Sequence, residues 1–307
     1  MQEGRTMMNT IRRDFLKITL GFAVASAAGE VAWGADAEKK ARKGGKGKKS
    51  AAAGVNKVAI GCQLYAVRSE FTKDVPGTLK TLAQMGYEGV EFWGYQGTPY
   101  IYKDAAGKEW SAAQLKNLLD ENQLKCCGIH LSVAALEDAR LQTSIDNNKV
   151  LGNKFLNIAS AQKEMKSTES IRKFAEFLNT TSDKAGAQQM VVGYHCHGGD
   201  FTKVDGRMAY EMLFEQLKPG VNMQVDIGHA LKAGVDPVVY FKKFAGRAKT
   251  VHLRESDDKK FDSPAYQELF NVMETVAGTE WYIVEEEKGN NFDFSRQAIE
   301  KLRKIGK

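Results

Sequence analysis

The chain has little cysteine, and the spacing of those residues excludes two of their common uses. Only four of its 307 residues are cysteine, at Cys62, Cys126, Cys127 and Cys196. No two of them form the CxxC pair of a zinc knuckle, and the four lack the spacing of a disulfide framework. All lie in or beside apolar, strand-like runs. We therefore expect buried free thiols.

Long apolar runs are also missing. The run at residues 18–28 is shorter than the roughly 20 residues that a membrane-spanning helix needs. It follows Arg12 and Arg13 in the sequence TIRRDFLK and precedes small residues around Ala35 and Ala37. A basic start, an apolar middle and a small-residue end are typical of an export signal, here similar to the twin-arginine type. Residues 1–37 are predicted to be this signal, and the mature protein to be periplasmic without stable membrane insertion.

The folded part of the chain carries no excess of positive charge. Residues 1–57 have 12 basic and 5 acidic side chains, while the other 250 residues have 32 and 33. Residues 38–57 are rich in lysine, glycine and alanine and lack apolar periodicity, which predicts a basic flexible linker. Because the remainder is close to neutral, it does not indicate a nucleic-acid-binding surface.

Residues 58–307 alternate short apolar runs with amphipathic stretches. Strands are predicted at 58–64, 89–93, 125–131, 155–159, 190–195, 223–227, 250–254 and 281–285. Helices are predicted at 75–85, 112–121, 135–151, 168–185, 208–217, 237–244, 265–276 and 295–305. Eight such pairs indicate parallel βαβ units. An open doubly wound sheet is the alternative, but the first strand ends in GCQLY without a GxGxxG loop, so a (β/α)8 TIM barrel is favoured as the catalytic domain.

Polar side chains collect at the carboxyl ends of the predicted strands, where barrels of this kind carry their catalytic groups. They include all five histidines of the chain. The residues at these ends are Gln63, Tyr65, Glu91, Trp93, His130, His195, His197, Asp226, His229, His252, Arg254 and Glu285. Since side chains alternate along a strand, His195, Asp226 and His252 should point into the barrel and their apolar neighbours outward. This pattern predicts an active-site mouth.

Four of these residues follow the fifth to eighth strands, which are adjacent in a barrel. They are His195, Asp226, His252 and Glu285. Two imidazoles and two carboxylates suit one manganese, zinc, cobalt or iron ion, with magnesium also allowed, more than they suit calcium. Such an ion could act as a Lewis acid on a carbonyl group. A set of buried ion pairs, such as Asp226 with His252, is the alternative.

Several segments resemble the xylose-isomerase-like barrel superfamily, and more narrowly its sugar phosphate isomerase/epimerase group. The segments include IGCQLYAVRSE, TLAQMGYEGVEFWGY, VVGYHCHGGDF and VDIGHALKAGVDPVVYFKKFAGRAKTVHLRES. The similarity runs from about residue 58 to the C-terminus. The resemblance implies one metal held by residues of the last four strands, which are the same four residues here. His195 stands where the epimerases usually have a glutamate.

The resemblance implies a metal-dependent isomerase or epimerase that acts on a keto-sugar through an enediolate. The predicted proton carriers are Glu285, His130 and Glu91. The predicted substrate-binding residues are Gln63, Trp93, His197, His229 and Arg254. A small-molecule sugar is the expected partner, and a homo-oligomer is compatible with the sequence.

Three alternatives to this function remain. A lyase or hydratase that acts on 3-keto-glycosides would share the enediolate, and it fits the presence of His195. A DNA-repair endonuclease of the same fold would need three zinc ions, and the chain lacks the Asp-x-His pair of that branch at His252. A non-catalytic sugar-binding protein is the third.

Overall fold

The computed structural model describes residues 57–256, 259–286 and 291–307. The predicted export signal at 1–37 and the predicted linker, apart from Lys57, lie outside the described residues. Within the described part of the chain, no helix combines the length and the apolar character needed to cross a membrane.

Eight parallel strands make up the main sheet. They are β1 Ala59–Gln63, β2 Gly89–Tyr95, β3 Lys125–Leu131, β4 Phe155–Ile158, β5 Val191–His195, β6 Asn222–Gln224, β7 Thr250–Leu253 and β8 Trp281–Val284. Their order in the sheet is β6-β5-β4-β3-β2-β1-β8-β7. β6 and β7 meet through one bridge between Asp226 and His252, where the His252 N–H donates to the Val225 carbonyl at 2.9 Å. The sheet is therefore a nearly closed barrel, and the predicted (β/α)8 fold is confirmed.

Helices lie between the strands. They are α1 Arg68–Lys73, α2 Val75–Met85, α3 Ala112–Glu121, α4 Asp138–Leu151, α5 Thr168–Gly186, α6 Ala209–Gln216, α7 Ile227–Lys232, α8 Pro237–Lys243, α9 Pro264–Val272 and α10 Phe292–Lys304. α2 and α3 have the predicted bounds. Their ends follow from local chemistry, because the Ser111 side chain accepts from the Gln114 N–H and Gly86, with φ +96°, takes the left-handed conformation that ends α2.

The end of β6 differs from the prediction. The strand predicted at 223–227 stops at Gln224, and Ile227 is the first residue of α7. The reason is the Asp226 carboxylate, which accepts the His229 N–H at 2.7 Å and so caps a helical turn directly after the strand. Further along, the helix predicted at 265–276 is α9 followed by a π turn, Met273–Ala277.

Some short elements have no counterpart among the predicted ones. They include α1, α7 and two hairpins, Tyr102–Lys103 with Glu109–Trp110 and Lys203–Val204 with Arg207–Met208. Each is too short to show a clear periodicity in the sequence.

The interior of the barrel is polar, whereas the outward faces of its strands are apolar. Buried polar residues from seven strands converge inside: Gln63, Glu91, His130, Asn157, His195, Asn222, Gln224, Thr250 and His252. Small residues make room for them. A β-carbon on Gly128 would lie 2.3 Å from Oε1 of Glu91, and one on Gly193 would lie 2.1 Å from Oδ1 of Asn157. The predicted inward direction of the polar residues is therefore confirmed.

The four cysteines are buried and free, as predicted. Burial raises the pKa of the Cys62 thiol and of the Cys126 thiol to about 12. At neutral pH these thiols stay protonated and behave as small apolar groups.

Candidate active site

A buried imidazole, that of His252, joins two carboxylates that belong to different strands. Its Nδ1 lies 2.7 Å from Oε2 of Glu285, which directly follows β8, and its Nε2 lies 2.6 Å from Oε2 of Glu91 on β2. Burial favours the neutral ring, but the two carboxylates outweigh this effect and raise the pKa of His252 to about 10. These contacts favour an imidazolium that donates to both neighbours, and an ion held by His252 would have to take the place of one of its ring protons.

Glu91 is fully buried and is held by several donors. Gln63 donates to its Oε2 at 2.8 Å, Gln224 donates to its Oε1 at 2.9 Å, and Nε2 of His130 lies 3.3 Å from its Oε2. Burial raises the pKa of this carboxyl, but His130, His252 and the hydrogen bonds outweigh it and leave the pKa below its ordinary value. Glu91 is thus an ionised carboxylate in a fixed position.

Gln224 decides which nitrogen of His130 carries a proton. The amide nitrogen of Gln224 donates to Glu91, which can only accept, and lies 3.0 Å from Oγ1 of Thr250. Its amide oxygen is therefore the atom 2.8 Å from Nε2 of His130. Because that oxygen can only accept, Nε2 of His130 must be the protonated nitrogen.

Arg254 holds the carboxylates on the other side of the site. One of its terminal nitrogens lies 3.1 Å from Oδ2 of Asp226 and 3.4 Å from Oε2 of Glu285. Burial raises the pKa of Asp226 even though Arg254 opposes the shift. Burial also acts on Glu285, but His252 outweighs it and holds the pKa of Glu285 well below its ordinary range. The sequence suggested His252 as the ion-pair partner of Asp226. In the structure Arg254 pairs with Asp226.

The four residues predicted to bind a metal come together at the carboxyl ends of their strands. One ligand atom from each of His195, Asp226, His252 and Glu285 lies within 4.8 Å of the others. Nδ1 of His195 is buried, and no hydrogen bond to it is made within the described residues. Two imidazole nitrogens and two carboxylate oxygens fit a borderline divalent ion. Arg254 neutralises two of the same carboxylates and would compete with such an ion.

Two predicted substrate-binding residues line an open cavity. His229 and Arg254 border a space of about 750 Å³ after β6, β7 and β8, together with Lys232, Lys260 and other polar side chains. This volume is in the range of small-molecule sites. A second cavity, of about 710 Å³, lies where β3, β4 and β8 begin and contains none of the predicted site residues.

The other predicted substrate-binding residues have different surroundings. Gln63 is fully buried and donates to Glu91, so it positions that carboxylate. Trp93 is half-buried and packs against Tyr65, with ring centroids 5.9 Å apart, and against Phe71 and Tyr102. The His197 ring lies 4.9 Å from that of His195. Contact of these side chains with a sugar stays a prediction.

A layer of hydrogen-bonded polar side chains lies below the site, and these residues are not among the predicted site residues. Nδ2 of Asn222 lies 2.9 Å from Oγ1 of Thr250 and 3.0 Å from Oδ1 of Asn157, and Gln224 extends this layer to Glu91. The signal that could have found it is present in the sequence, since these polar residues interrupt otherwise apolar strands at inward positions. An amide layer of this kind fixes the side chains above it.

A nearly closed (β/α)8 barrel with histidines and carboxylates at the carboxyl ends of its strands has the architecture of a TIM-barrel enzyme. The family model described as xylose isomerase-like TIM barrel matches residues 79–305. The chain belongs to this family.

Several proteins of solved structure and one curated protein resemble this chain over part or most of its length. A sugar phosphate isomerase/epimerase from Parabacteroides distasonis superposes with a TM-score of 0.72 at 21% identity, over 84% of this chain and 96% of its own. A probable 3-DHS dehydratase from Bacillus anthracis superposes with a TM-score of 0.57 at 14% identity, over 80% and 98%. At these identities the likeness shows the fold. The inosose dehydratase of Clostridium tetani is 33% identical over 95 residues, which span 31% of each protein.

Proposed function

We propose that the protein is a divalent-metal-dependent isomerase or epimerase of a keto-sugar, which moves a proton on the carbon next to the carbonyl. The observation that supports the proposal most strongly is the hydrogen-bonded chain Glu91–His252–Glu285, two members of which belong to the set of four candidate metal ligands. A positioned carboxylate can take a proton from a reacting carbon, and it does so best when its pKa approaches the working pH. Membership of the xylose isomerase-like family supports a sugar as the substrate.

Metal binding and proton transfer would be carried out by different side chains of the site, apart from Glu285, which could take part in both. His195, Asp226, His252 and Glu285 would hold the ion, whose chemistry is to polarise the sugar carbonyl and stabilise negative charge on its oxygen. Glu91 would accept the proton: Gln63 and Gln224 hold it in position, and an ion bound to His252 would remove the imidazolium charge that helps to lower the pKa of Glu91.

His130 would be the second proton carrier. Since its Nε2–H is directed to Gln224, Nδ1 is the ring atom of the neutral form that can take up a proton.

The second candidate is a lyase that removes a substituent two carbons from the carbonyl of a 3-keto-glycoside. Two observations favour it. The resemblance to the epimerases implies a glutamate at the position of His195, so in this chain one carboxylate that could protonate the opposite face is replaced by an imidazole. A 95-residue segment is 33% identical to an inosose dehydratase. Both reactions begin with loss of the same proton.

Deuterium exchange tests both candidates. Protein of measured metal content is incubated in heavy water with a panel of keto-sugars and 3-keto-glycosides. We expect deuterium at the carbon next to the carbonyl, with an epimer or isomer for the first candidate and an unsaturated product for the second. Glu91→Gln should slow exchange by about 10²–10⁴-fold. Glu88→Gln is the matched control, since Glu88 lies just before β2 and pairs with Arg303 on the opposite face. A metal-loaded protein without exchange on any substrate would contradict both.

We also propose that the protein is exported through its twin-arginine signal. Replacing Arg12 and Arg13 with lysine should leave the precursor in the cytoplasm, because the pair is the feature that twin-arginine signals present. Fractionation followed by immunoblotting measures this. Export of the variant at the wild-type level would refute this proposal without bearing on the enzyme activity.

A further inference from the structure

Two cavities of similar size lie at opposite ends of the barrel strands. The first, the rim cavity, has a volume of about 750 Å³ and lies after β6, β7 and β8, beside the candidate active site. The second, the amino-end cavity, has a volume of about 710 Å³ and lies where β3, β4 and β8 begin. Both volumes are in the range of small-molecule sites. Because catalytic groups of such barrels come from the carboxyl ends of the strands, the amino-end cavity takes no part in the proposed reaction.

Apolar side chains form much of the lining of the amino-end cavity. They are Leu124, Cys126, Leu151, Phe155, Met190 and Trp281. Trp281, the first residue of β8, is half-buried and the others are buried, so its indole offers the largest apolar surface to a ligand. The rim cavity is more polar, with Leu231 and Phe294 as its large apolar side chains. The amino-end cavity therefore suits a ligand with an apolar body, because binding removes apolar surface of both partners from water.

Positive charge accompanies this apolar surface. The lining has four lysines, two of which are paired with its two carboxylates, Lys116 with Asp120 and Lys154 with Glu280. The other two, Lys125 and Lys149, are exposed, and neither makes an ion pair within the described residues. Two positive charges of the lining are thus not neutralised by a carboxylate of the described chain. The cavity favours a ligand that carries negative charge.

Hydrogen bonds fix the turns that form the walls. Nδ2 of Asn153 donates to the Phe155 carbonyl at 2.8 Å, and Oδ1 of Asn153 accepts the Phe155 N–H at 2.9 Å. On the opposite wall, Nε2 of Gln188 donates to Oε1 of Gln142 at 2.9 Å, and Nζ of Lys149 donates to Oε1 of Gln188 at 2.9 Å. The chain makes these contacts by itself, so a ligand does not have to order the walls when it binds.

We propose that the amino-end cavity binds a small amphipathic carboxylate, with its apolar body against Trp281 and its carboxylate on Lys125 and Lys149. A lysine ammonium has three N–H donors, so Lys149 keeps two for a ligand beside its bond to Gln188. A neutral ligand would leave both lysine charges without a partner, and a small inorganic anion would leave the apolar walls in contact with water. The site is independent of the proposed sugar chemistry.

Three probes separate the two features of the ligand. Octanoate has a chain and a charge, 1-octanol has the chain without the charge, and acetate has the charge without the chain. Each is titrated into the full chain by isothermal titration calorimetry. We expect one octanoate per chain, bound at least about tenfold more tightly than either of the other two. High salt should weaken the binding of octanoate, because the lysines are exposed to solvent.

Charge reversal locates the bound octanoate. Lys125→Glu/Lys149→Glu should weaken its binding by at least about tenfold, since two attractive charges become repulsive. The matched control is Lys232→Glu/Lys260→Glu, which makes the same change of charge at exposed lysines of the rim cavity and should leave the affinity unchanged. Octanoate should also alter the intrinsic fluorescence of the wild type, and Trp281→Phe should remove this response.

Several outcomes would overturn the site. Folded wild-type protein without saturable octanoate binding would refute it, and equal affinities for octanoate and 1-octanol would show that the lysines take no part. Loss of affinity in the Lys232→Glu/Lys260→Glu control, with none in Lys125→Glu/Lys149→Glu, would assign the anion to the rim cavity. If the charge-reversal variant does not fold, Lys125→Gln/Lys149→Gln removes both charges and allows the same comparison. Because the readout is binding, it does not depend on finding a substrate.

Discussion

The two faces of the barrel strands have different tasks, and β7 shows the difference within four residues. Val251 and Leu253 face outward, whereas Thr250 and His252 face the interior, and all four are fully buried. Barrel interiors are usually filled by valine, isoleucine and leucine. Here amides, a hydroxyl, a carboxylate and imidazoles fill that space. The comparison indicates that apolar packing against the helices stabilises the fold, while the interior holds charged groups in position.

Substitutions on the two faces of β7 should separate these tasks. Leu253→Ala removes buried apolar volume and should lower the free energy of unfolding by about 2–5 kcal/mol. Thr250→Val keeps the shape but removes the hydroxyl that Asn222 and Gln224 contact, which should cost about 1–3 kcal/mol. Urea denaturation of both variants measures the difference.

The rate of substrate turnover should fall more in Thr250→Val than in Leu253→Ala, which is the reverse of the order expected for the free energy of unfolding. Thr250→Val loosens Gln224, which positions Glu91 and His130, so it should reduce the exchange rate more than Leu253→Ala does at a temperature where both are folded. A stability loss in Thr250→Val as large as that in Leu253→Ala, without a larger loss of rate, would contradict the division between the faces.

Not every buried polar side chain serves the site. Near the gap between β6 and β7, Arg247 is expected to stabilise the fold. Arg247 is 8% exposed and donates to the carbonyls of Phe214 at 3.0 Å and Lys218 at 2.9 Å, and its own carbonyl accepts the Met223 N–H at 2.8 Å. Arg247→Met should lower the free energy of unfolding by about 1.5–3 kcal/mol, because it leaves buried carbonyls without a charged donor. Arg172→Met is the control, since that exposed ion pair should contribute under about 1 kcal/mol. Equal losses in the two variants, measured by urea denaturation, would show that Arg247 does not hold this gap.

The sequence predicts the barrel and the rim of the site, because both depend on local patterns. Apolar runs with His130, His195 or His252 at or near their last residue mark the strands and their carboxyl ends. The contact between Glu91 and His252 could not be predicted, since it joins side chains that are 161 residues apart in the chain.

A register shift between β2 and β3 also could not be predicted from the sequence. Val90 pairs with Cys126 but Glu91 pairs with Gly128, so one residue of β3 is skipped, and no residue pattern marks the place. The helix cap at Asp226 could not be predicted either, because the residues around it are equally compatible with the end of a strand.

An effect that depends on pH is expected at the outward face of β1, where the Cys62 thiol is fully buried and its Sγ lies 3.7 Å from Oγ of Ser295. Burial raises its pKa from about 9 to about 12. Because the folded pKa is the higher one, the contribution of this thiol is fully present below pH 9 and is lost as the pH rises toward 12. In that window the unfolded chain releases a proton that the folded protein keeps, so the free energy of unfolding falls by up to about 1.4 kcal/mol per pH unit. Cys62→Ala should flatten the decline between pH 9 and pH 11, measured by urea denaturation at each pH, while tyrosine and lysine titration affects both proteins alike. Parallel pH profiles for the wild type and Cys62→Ala would mean that the thiol ionises at the same pH in both states.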